Sequence, residues 1–418
     1  MGVQQPGRGL PGNLSPLDVM LAEIALRIQL SPTDHGKAVD RYETVSDWID
    51  RPDSPLCGLV DLTYAQGSMV IGATIARCSD RDEYDIDAMA QLGLPRDTDP
   101  EVALSLLETS IRGERGSRYY DITTRRTRCV TIEYADGMHL DVTPAILLPE
   151  LIERTSFIFH SRPEDPREPK LRLHANPYGF AEWFNEMTPA DVAFAEYFER
   201  RSLEEARLRA LAKGETEPVP DQMPAYRKSL ALIALQLIKR FRNVRYERRP
   251  SLRRPPSVLL CKYVADHANR TTTLAEEVLH QASAMLDIFE AAHRAGRFVH
   301  EVNPRCRTDV LTDRWPASAE DQARFIADLR ELTQKLARLL EGASLEEMRK
   351  ILEHLFGERP ARDVVTDYIK RYGSRVGHGG GAHLPGIGQV PAAGVMLGST
   401  PAAARSTPGH RFFGDEPE

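Results

Sequence analysis

Three stretches decide how this chain folds: YAQGSMVIGATI (64–75), YDIDAMAQL (84–92) and MHLDVTPAIL (138–147). MVIGATI, YDIDAMAQL, RCVTIEY (128–134) and MHLDVTPAIL are short and rich in β-branched residues, so each is expected to be a strand. Asp136-Gly137 sits between the last two, the dipeptide that best suits a tight hairpin turn. On a strand, residues i and i+2 project from one face. Asp85 and Asp87 therefore stand side by side while Ile86 points into the opposite layer. Asp141, beyond the hairpin, shares a face with His139 and Thr143; Leu140 and Val142 take the other. Carboxylates held this close repel, and without a cation one pKa must rise. A divalent ion resolves the conflict, and magnesium takes oxygen ligands, a few from protein and the rest from water and phosphate. A third carboxylate on an adjacent strand completes a site for two metals about 3.5–4 Å apart, one activating a hydroxyl and one holding a leaving pyrophosphate. Gly67-Ser68 supplies a phosphate cradle, since glycine lets backbone N–H groups approach an anion and the serine hydroxyl adds a donor. Singly, a Gly-Ser pair or an Asp-x-Asp is equally at home on a solvated strand. In this order, with Asp141 past a hairpin, they form a constellation.

Working outward, residues 1–14 form a loose Gly/Pro leader. Ser15 is a candidate N-cap, with Pro16 in the first turn of a helix carrying Leu17, Met20, Leu21, Ile24 and Ile28. A second helix is expected over about 35–50. Helices return near 178–213, 223–243, 255–268, 272–294, 317–341 and 344–372. Residues 374–418 are rich in Gly, Ala and Pro with no periodic apolar face, the composition of a segment disordered in isolation.

Bulk properties set limits. The chain has 418 residues, 41% hydrophobic and 28% charged, enough apolar material for a large core. No apolar run is long enough to span a bilayer, and the N-terminus lacks the apolar stretch of a signal peptide, so a cytoplasmic protein is expected. The five cysteines, Cys57, Cys78, Cys129, Cys261 and Cys306, are scattered and never in a C-x-x-C pair, which fits reduced thiols better than disulfides or zinc. A net charge of −7 argues against a broad basic nucleic-acid surface, though not against a phosphorylated substrate. The run 239–254 carries eight basic residues. It suits a solvated helix end and loop, or a patch for nucleotide phosphates or an activating RNA. The i, i+3, i+4 spacing of Phe180, Trp183 and Phe184 indicates a buried helix face. His139 flanks the acidic site without being needed as a ligand.

At YAQGSMVIGATI, YDIDAM and HLDVTPA the sequence resembles nucleotidyltransferases with a polymerase-β-type palm. More narrowly, it resembles the bacterial relatives of cyclic GMP-AMP synthase and oligoadenylate synthase that make cyclic oligonucleotide signals in anti-phage defence. HANPYGFAEWF (174–184), SLALIALQLIKRFRN (229–243), PPSVLLCKYVAD (255–266) and EVNPRCRTDVLTDRW (301–315) extend the likeness over roughly residues 15–373. The resemblance implies an α/β (α+β) two-lobed fold. A helical spine (15–60) would lie behind a palm (61–165), with a helical C-terminal lobe (166–373) and a tail (374–418). It implies an enzyme that joins ribonucleoside triphosphates, ATP among them, into a cyclic tri- or dinucleotide containing adenine, with release of pyrophosphate and two Mg2+ or Mn2+ ions. Asp85, Asp87 and Asp141 would be the catalytic metal ligands, Asp141 also assisting deprotonation of the acceptor hydroxyl. Gly67 and Ser68 would hold the donor triphosphate, Lys239 would reach its β/γ-phosphates, and Ser257 would add a hydroxyl contact. VLLCKYVAD departs from the Thr-rich form of that helix common in the family. The resemblance further implies that the C-terminal tail, with His410-Arg411-Phe412-Phe413-Gly414, is captured by a HORMA-type protein, or by a conjugation enzyme if Asp415–Glu418 are trimmed. Competing readings are a linear transferase acting on RNA, protein or a small molecule, and a silent scaffold acting through its tail; the intact aspartates speak against the scaffold.

Overall fold

The computed structural model describes residues 15–76, 84–162, 164–165, 167–189, 229–249, 251–268, 271, 273–372, 382–384 and 388–390. Ser15 caps α1 (Pro16–Arg27): its Oγ accepts from Asp18 N, while the Asp18 carboxylate accepts from Ser15 N, both at 3.1 Å. The other Asp18 oxygen accepts from Ala275 N at 2.9 Å and so also serves the start of a distant helix, α7 (Leu274–Arg294). α1 is buried along its length and shares a core with the helical lobe, whereas α2 (Pro32–Ile49) lays Ala38, Val45 and Ile49 against the sheet. The expected spine therefore divides between two cores.

The sheet contains β1 (Val60–Gln66), β2 (Tyr84–Leu92), β3 (Thr123–Arg125), β4 (Val130–Glu133), β5 (Met138–Leu147), β6 (Ser156–His160) and β7 (Leu171–Ala175). Its order is β1-β2-β5-β4-β3, with β6 on the far half of β5 and β7 beyond it. β2 and β5 run parallel in register, Asp85 opposite His139 and Asp87 opposite Asp141; the other pairings are antiparallel. α3 (Pro100–Arg112) covers the apolar face, packing Leu107 and Ile111 on Ile86, Leu140 and Val142. Because β7 pairs with β6, the sheet continues to Ala175, past the boundary expected at 165.

MVIGATI is not a strand. After β1 the chain turns through residues 67–72, with Ala73 N donating to Ser68 O at 2.8 Å, and then has no regular structure to residue 76. Its carbonyls are taken by side chains instead of a neighbouring strand: Gln236 donates to Gly72 O and Thr74 O, and Lys239 to Ala73 O. The apolar residues that suggested a strand, Ile71, Ala73 and Ile75, are buried in the helical lobe's core.

That lobe contains α4 (Pro177–Met187), α5 (Leu230–Glu247), α6 (Ser257–Asp266), α7, α8 (Ala319–Leu340), α9 (Leu345–Phe356) and α10 (Glu358–Tyr372), with a small hairpin of β8 (Val302–Asn303) and β9 (Cys306–Val310). The helix expected over 344–372 is two, parted at Gly357, whose φ of +99° ends α9. The helix expected over 178–213 is described only to Met187; residues 190–228 lie outside the described residues. Phe180, Trp183 and Phe184 are buried. In the tail, Ala382–Leu384 pairs with Gly388–Val390 where composition predicted no regular structure, though so short a pair is marginal alone. His410–Gly414 lie outside the described residues. Cys57, Cys129, Cys261 and Cys306 are free thiols. Among the described residues no helix is long and apolar enough to cross a membrane.

The lobe's centre is aromatic. Phe289 packs at 5.2–5.8 Å from Tyr263, Trp315 and Phe325. Phe289→Ala should lower stability by about 3–5 kcal/mol, as such core truncations do, measured as a shift in the denaturant midpoint.

Candidate active site

One rung of the sheet assembles the site. Gln66 on β1, Asp87 on β2, Asp141 on β5 and Thr131 on β4 are successive partners across the strands. Parallel pairing of β2 with β5 puts the Asp87 and Asp141 side chains on one face. Asp85 lies one step nearer the mouth and is 40% exposed. Thr131, itself buried, donates its hydroxyl to Asp141 Oδ1 at 2.6 Å and so orients that carboxylate. Burial, then the charges of Asp141 and Asp85, push Asp87 up to about 7, with Lys239 opposing. Burial and Asp85 also raise Asp141, against the Thr131 hydrogen bond.

Gly67 ends β1 at φ +66°, a conformation that favours glycine. A β-carbon there would collide with the Asp87 carboxylate. The next residue, Ser68, meets the helical lobe: Lys239 Nζ, only 3% exposed on α5, donates to Ser68 Oγ at 2.7 Å and to Ala73 O at 2.8 Å. Burial lowers the Lys239 pKa to about 8, so it remains a cation at neutral pH. The structure thus gathers Asp85, Asp87, Asp141, Gly67, Ser68 and Lys239 at one place. Ser257, in the first turn of α6, accepts from Arg242, one turn along α5 from Lys239.

The basic run 239–254 is neither a solvated helix end nor an open patch over its first half. Lys239, Arg240, Arg242 and Arg245 are buried. Arg240 donates to Phe356 O, Arg242 to Pro255 O, and Arg245 pairs with Glu331. Of the exposed second half, Arg254 approaches Asp85 to 3.9 Å. His139 Nδ1 lies 4.0 Å from Asp85. Sequence reasoning missed Thr131 and the arginines beside the triad, Arg125, Arg126, Arg128 and Arg314. The crowding of TTRRTR (123–128) ahead of β4 was the available signal for three of those four.

Among the described residues, no three His, Cys, Asp or Glu side chains close into a metal cage. An open row of three carboxylates, two of them buried, fits instead a hard cation that keeps water and phosphate in its shell. A triad facing a phosphate-sized turn and a lysine, on a mixed sheet backed by a helical lobe, defines a nucleotidyltransferase.

Comparison with known proteins agrees. Residues 18–161 match the second messenger oligonucleotide or dinucleotide synthetase domain family. Over 408 residues the chain is 36% identical to the cyclic dinucleotide synthase CdnG of Bradyrhizobium diazoefficiens, covering 95% of each. The structure of that protein in complex with GTP superposes with a TM-score of 0.73 at 35% identity, covering 85% of this chain and 98% of CdnG. A c-di-GMP synthase of Roseivirga ehrenbergii is 24% identical over 412 residues, 96% of this chain and 97% of its own. CdnC of E. coli MS115-1, in a complex with HORMA, shares the fold at a TM-score of 0.51 and 11% identity, covering 81% of this chain and 96% of that one. The chain belongs to the bacterial cGAS/DncV-like nucleotidyltransferases, the family of cyclic oligonucleotide synthases.

Two outcomes follow from this geometry. Gly67→Ala should cut activity about a hundredfold or more, the scale of losing an aligned backbone donor, read as pyrophosphate release. The folded pKa of Asp87, near 7, lies above its ordinary 3.8, so the folded protein loses stability as pH rises across that interval. Asp87→Asn should therefore raise the melting temperature in EDTA at pH 8 by a few degrees and leave it unchanged at pH 4.

Proposed function

We propose that this enzyme makes a cyclic dinucleotide with guanine among its bases and that the product signals in anti-phage defence. The synthase names of the CdnG and Roseivirga relatives support a two-membered ring over a three-membered one, and the GTP complex of CdnG supports guanine. The defence role rests on the family resemblance.

The observation that carries the reading is the parallel register setting Asp87 beside Asp141, with Lys239 and Ser68 joined at the end of the same row. Mg2+ or Mn2+ held by Asp85, Asp87 and Asp141 would supply the charge that acidifies the acceptor hydroxyl and receives the pyrophosphate. The turn at Gly67, the Ser68 hydroxyl and the Lys239 ammonium bind the donor triphosphate; Lys239, already buried and placed, offsets charge as pyrophosphate leaves. Ser257 contributes a hydroxyl through its place beside Arg242. The acceptor ribose oxygen bonds to the donor α-phosphorus, the α–β bridge breaks, and pyrophosphate departs with the electron pair. Thr131 donates to Asp141 Oδ1 and so orients the carboxylate that assists deprotonation of the acceptor hydroxyl. A second such step on the linear intermediate closes the ring. Capture of the tail at His410–Gly414 by a HORMA-type protein remains part of this proposal, resting on the resemblance and on two aromatics in a polar segment.

With four ribonucleoside triphosphates and Mg2+, then Mn2+, phosphatase treatment and mass spectrometry should find a resistant cyclic dinucleotide. An Asp85→Ala/Asp87→Ala variant should give none. A phosphatase-sensitive linear product alone would sink the cyclic reading in favour of a linear transferase.

A further inference from the structure

The face of the sheet that carries the triad holds two parallel rows of side chains. The inner row is Asp87 on β2, Asp141 on β5 and Thr131 on β4; the outer row, nearer the mouth, is Asp85, His139 and Glu133 on the same strands. Strand alternation keeps both rows on one face, since the two members from each strand are two residues apart. Arg126, just past β3, joins the β4 ends of the rows. Its Nε donates to Thr131 Oγ1 at 3.4 Å and its Nη2 to Glu133 at 2.8 Å. The other arginines beside the triad turn elsewhere. Arg128 reaches Asp313 at 2.5 Å and Arg314 donates to Thr127 Oγ1 at 3.2 Å, each across to the opposite lobe of the cleft, and Arg125 pairs with Glu101 on α3.

From Arg126 the donors run one way, inward to the triad. A threonine hydroxyl has a single hydrogen to give and accepts through its oxygen. Thr131 gives that hydrogen to Asp141 Oδ1 at 2.6 Å. The hydroxyl also lies within hydrogen-bonding reach of the Cys129 thiol, two residues earlier on the same face. With an Arg126 N–H aimed at the Thr131 oxygen, that side is closed to the hydroxyl hydrogen, which stays on Asp141. The 3.4 Å contact is long, so Arg126 contributes direction more than strength, and the 2.8 Å bond to Glu133 fixes the direction. Thr131 is 2% exposed, whereas the Arg126 and Glu133 side chains are 50% and 40% exposed. A buried carboxylate is thus aimed from an ion pair at the surface.

We propose that Arg126 is a positioning residue of the transfer reaction, acting on Asp141 through the Thr131 hydroxyl and itself held by Glu133. The proposal rests on the reading above in which Asp141 holds a divalent cation, and adds to it the side chains that aim that carboxylate. An arginine at this place could instead touch the nucleotide directly, and the test separates the two.

The experiment is a double-mutant cycle on the full chain with two readouts. One is Mn2+ binding, followed by the electron paramagnetic resonance of the free ion; the other is pyrophosphate release from ribonucleoside triphosphates. Thr131→Val keeps the shape and removes the hydroxyl; it should weaken Mn2+ binding and lower kcat by about tenfold or more, the scale of losing a group that orients a metal-holding side chain. Thr131→Ser should recover most of both. Arg126→Met should weaken Mn2+ binding and lower kcat by about fivefold alone, but by less than about twofold beside Thr131→Val, because the hydroxyl it acts through is gone. Glu133→Gln should follow Arg126→Met with smaller losses, also absent beside Thr131→Val. An Arg126→Met loss of the same size in both backgrounds overturns the assignment. So does a loss confined to KM for the triphosphate, which would make Arg126 a substrate contact, and so does wild-type Mn2+ binding by Arg126→Met. If the wild type yields no cyclic product, the cyclic-dinucleotide reading fails by itself, and the Mn2+ cycle, which needs no turnover, still decides the role of Arg126.

Discussion

The ammonium of Lys239 reaches from the middle of a buried helix to Ser68 Oγ and the Ala73 carbonyl, and much of the molecule is arranged around that reach. A buried cation needs partners close enough to replace water. Here the partners lie on the segment that follows β1, so satisfying the lysine pins the palm's turn to the helical lobe. Gln236, one turn earlier on α5, holds the same segment through the carbonyls of Gly72 and Thr74. α5 can keep so polar a sequence buried because its other cations are tied at once to fixed acceptors: Arg240 to Phe356 O and Arg242 to Pro255 O. The turn at Gly67–Ser68 and the join between the lobes are thus one hydrogen-bonded unit.

Across the sheet the logic reverses. Asp85, Asp87 and Asp141 are brought together with too little compensating charge, and burial first, then the neighbouring carboxylates, raises Asp87 and Asp141. A fold selected for stability alone would separate them or neutralise one. Keeping them adjacent, with Thr131 holding one oxygen of Asp141, is the arrangement that the proposed divalent cations would neutralise. Buried apolar partners beneath, Ile86, Leu140 and Val142, hold the strands in register against that repulsion.

The acidic site was legible in the sequence because its rules are local. An i, i+2 pair shares a strand face whatever surrounds it, and an Asp-Gly turn sets Asp141 a fixed distance along the next strand. The Ser15 cap and the buried faces of Phe180, Trp183 and Phe184 follow from equally short-range spacing. MVIGATI failed for the complementary reason. Its apolar residues are compatible with a strand, but Gln236 and Lys239, far along the chain, take its carbonyls. Likewise β7 joins the sheet through pairing with β6 that no local pattern announces. The arginines of the cleft drew no reading from the sequence because Arg314 is remote in sequence from Arg125, Arg126 and Arg128.

By itself the sequence determined most of the element types, the rung of carboxylates, the glycine turn and the family to which the chain belongs. Only the tertiary structure decided that the cations of 239–245 are internal, that the segment after β1 leaves the sheet for the helical lobe, and that two lobes share an arginine wall beside the triad. The physical reason is range. Strand alternation, caps and turns act over a few residues, whereas burying a charge depends on an acceptor that the chain supplies from elsewhere.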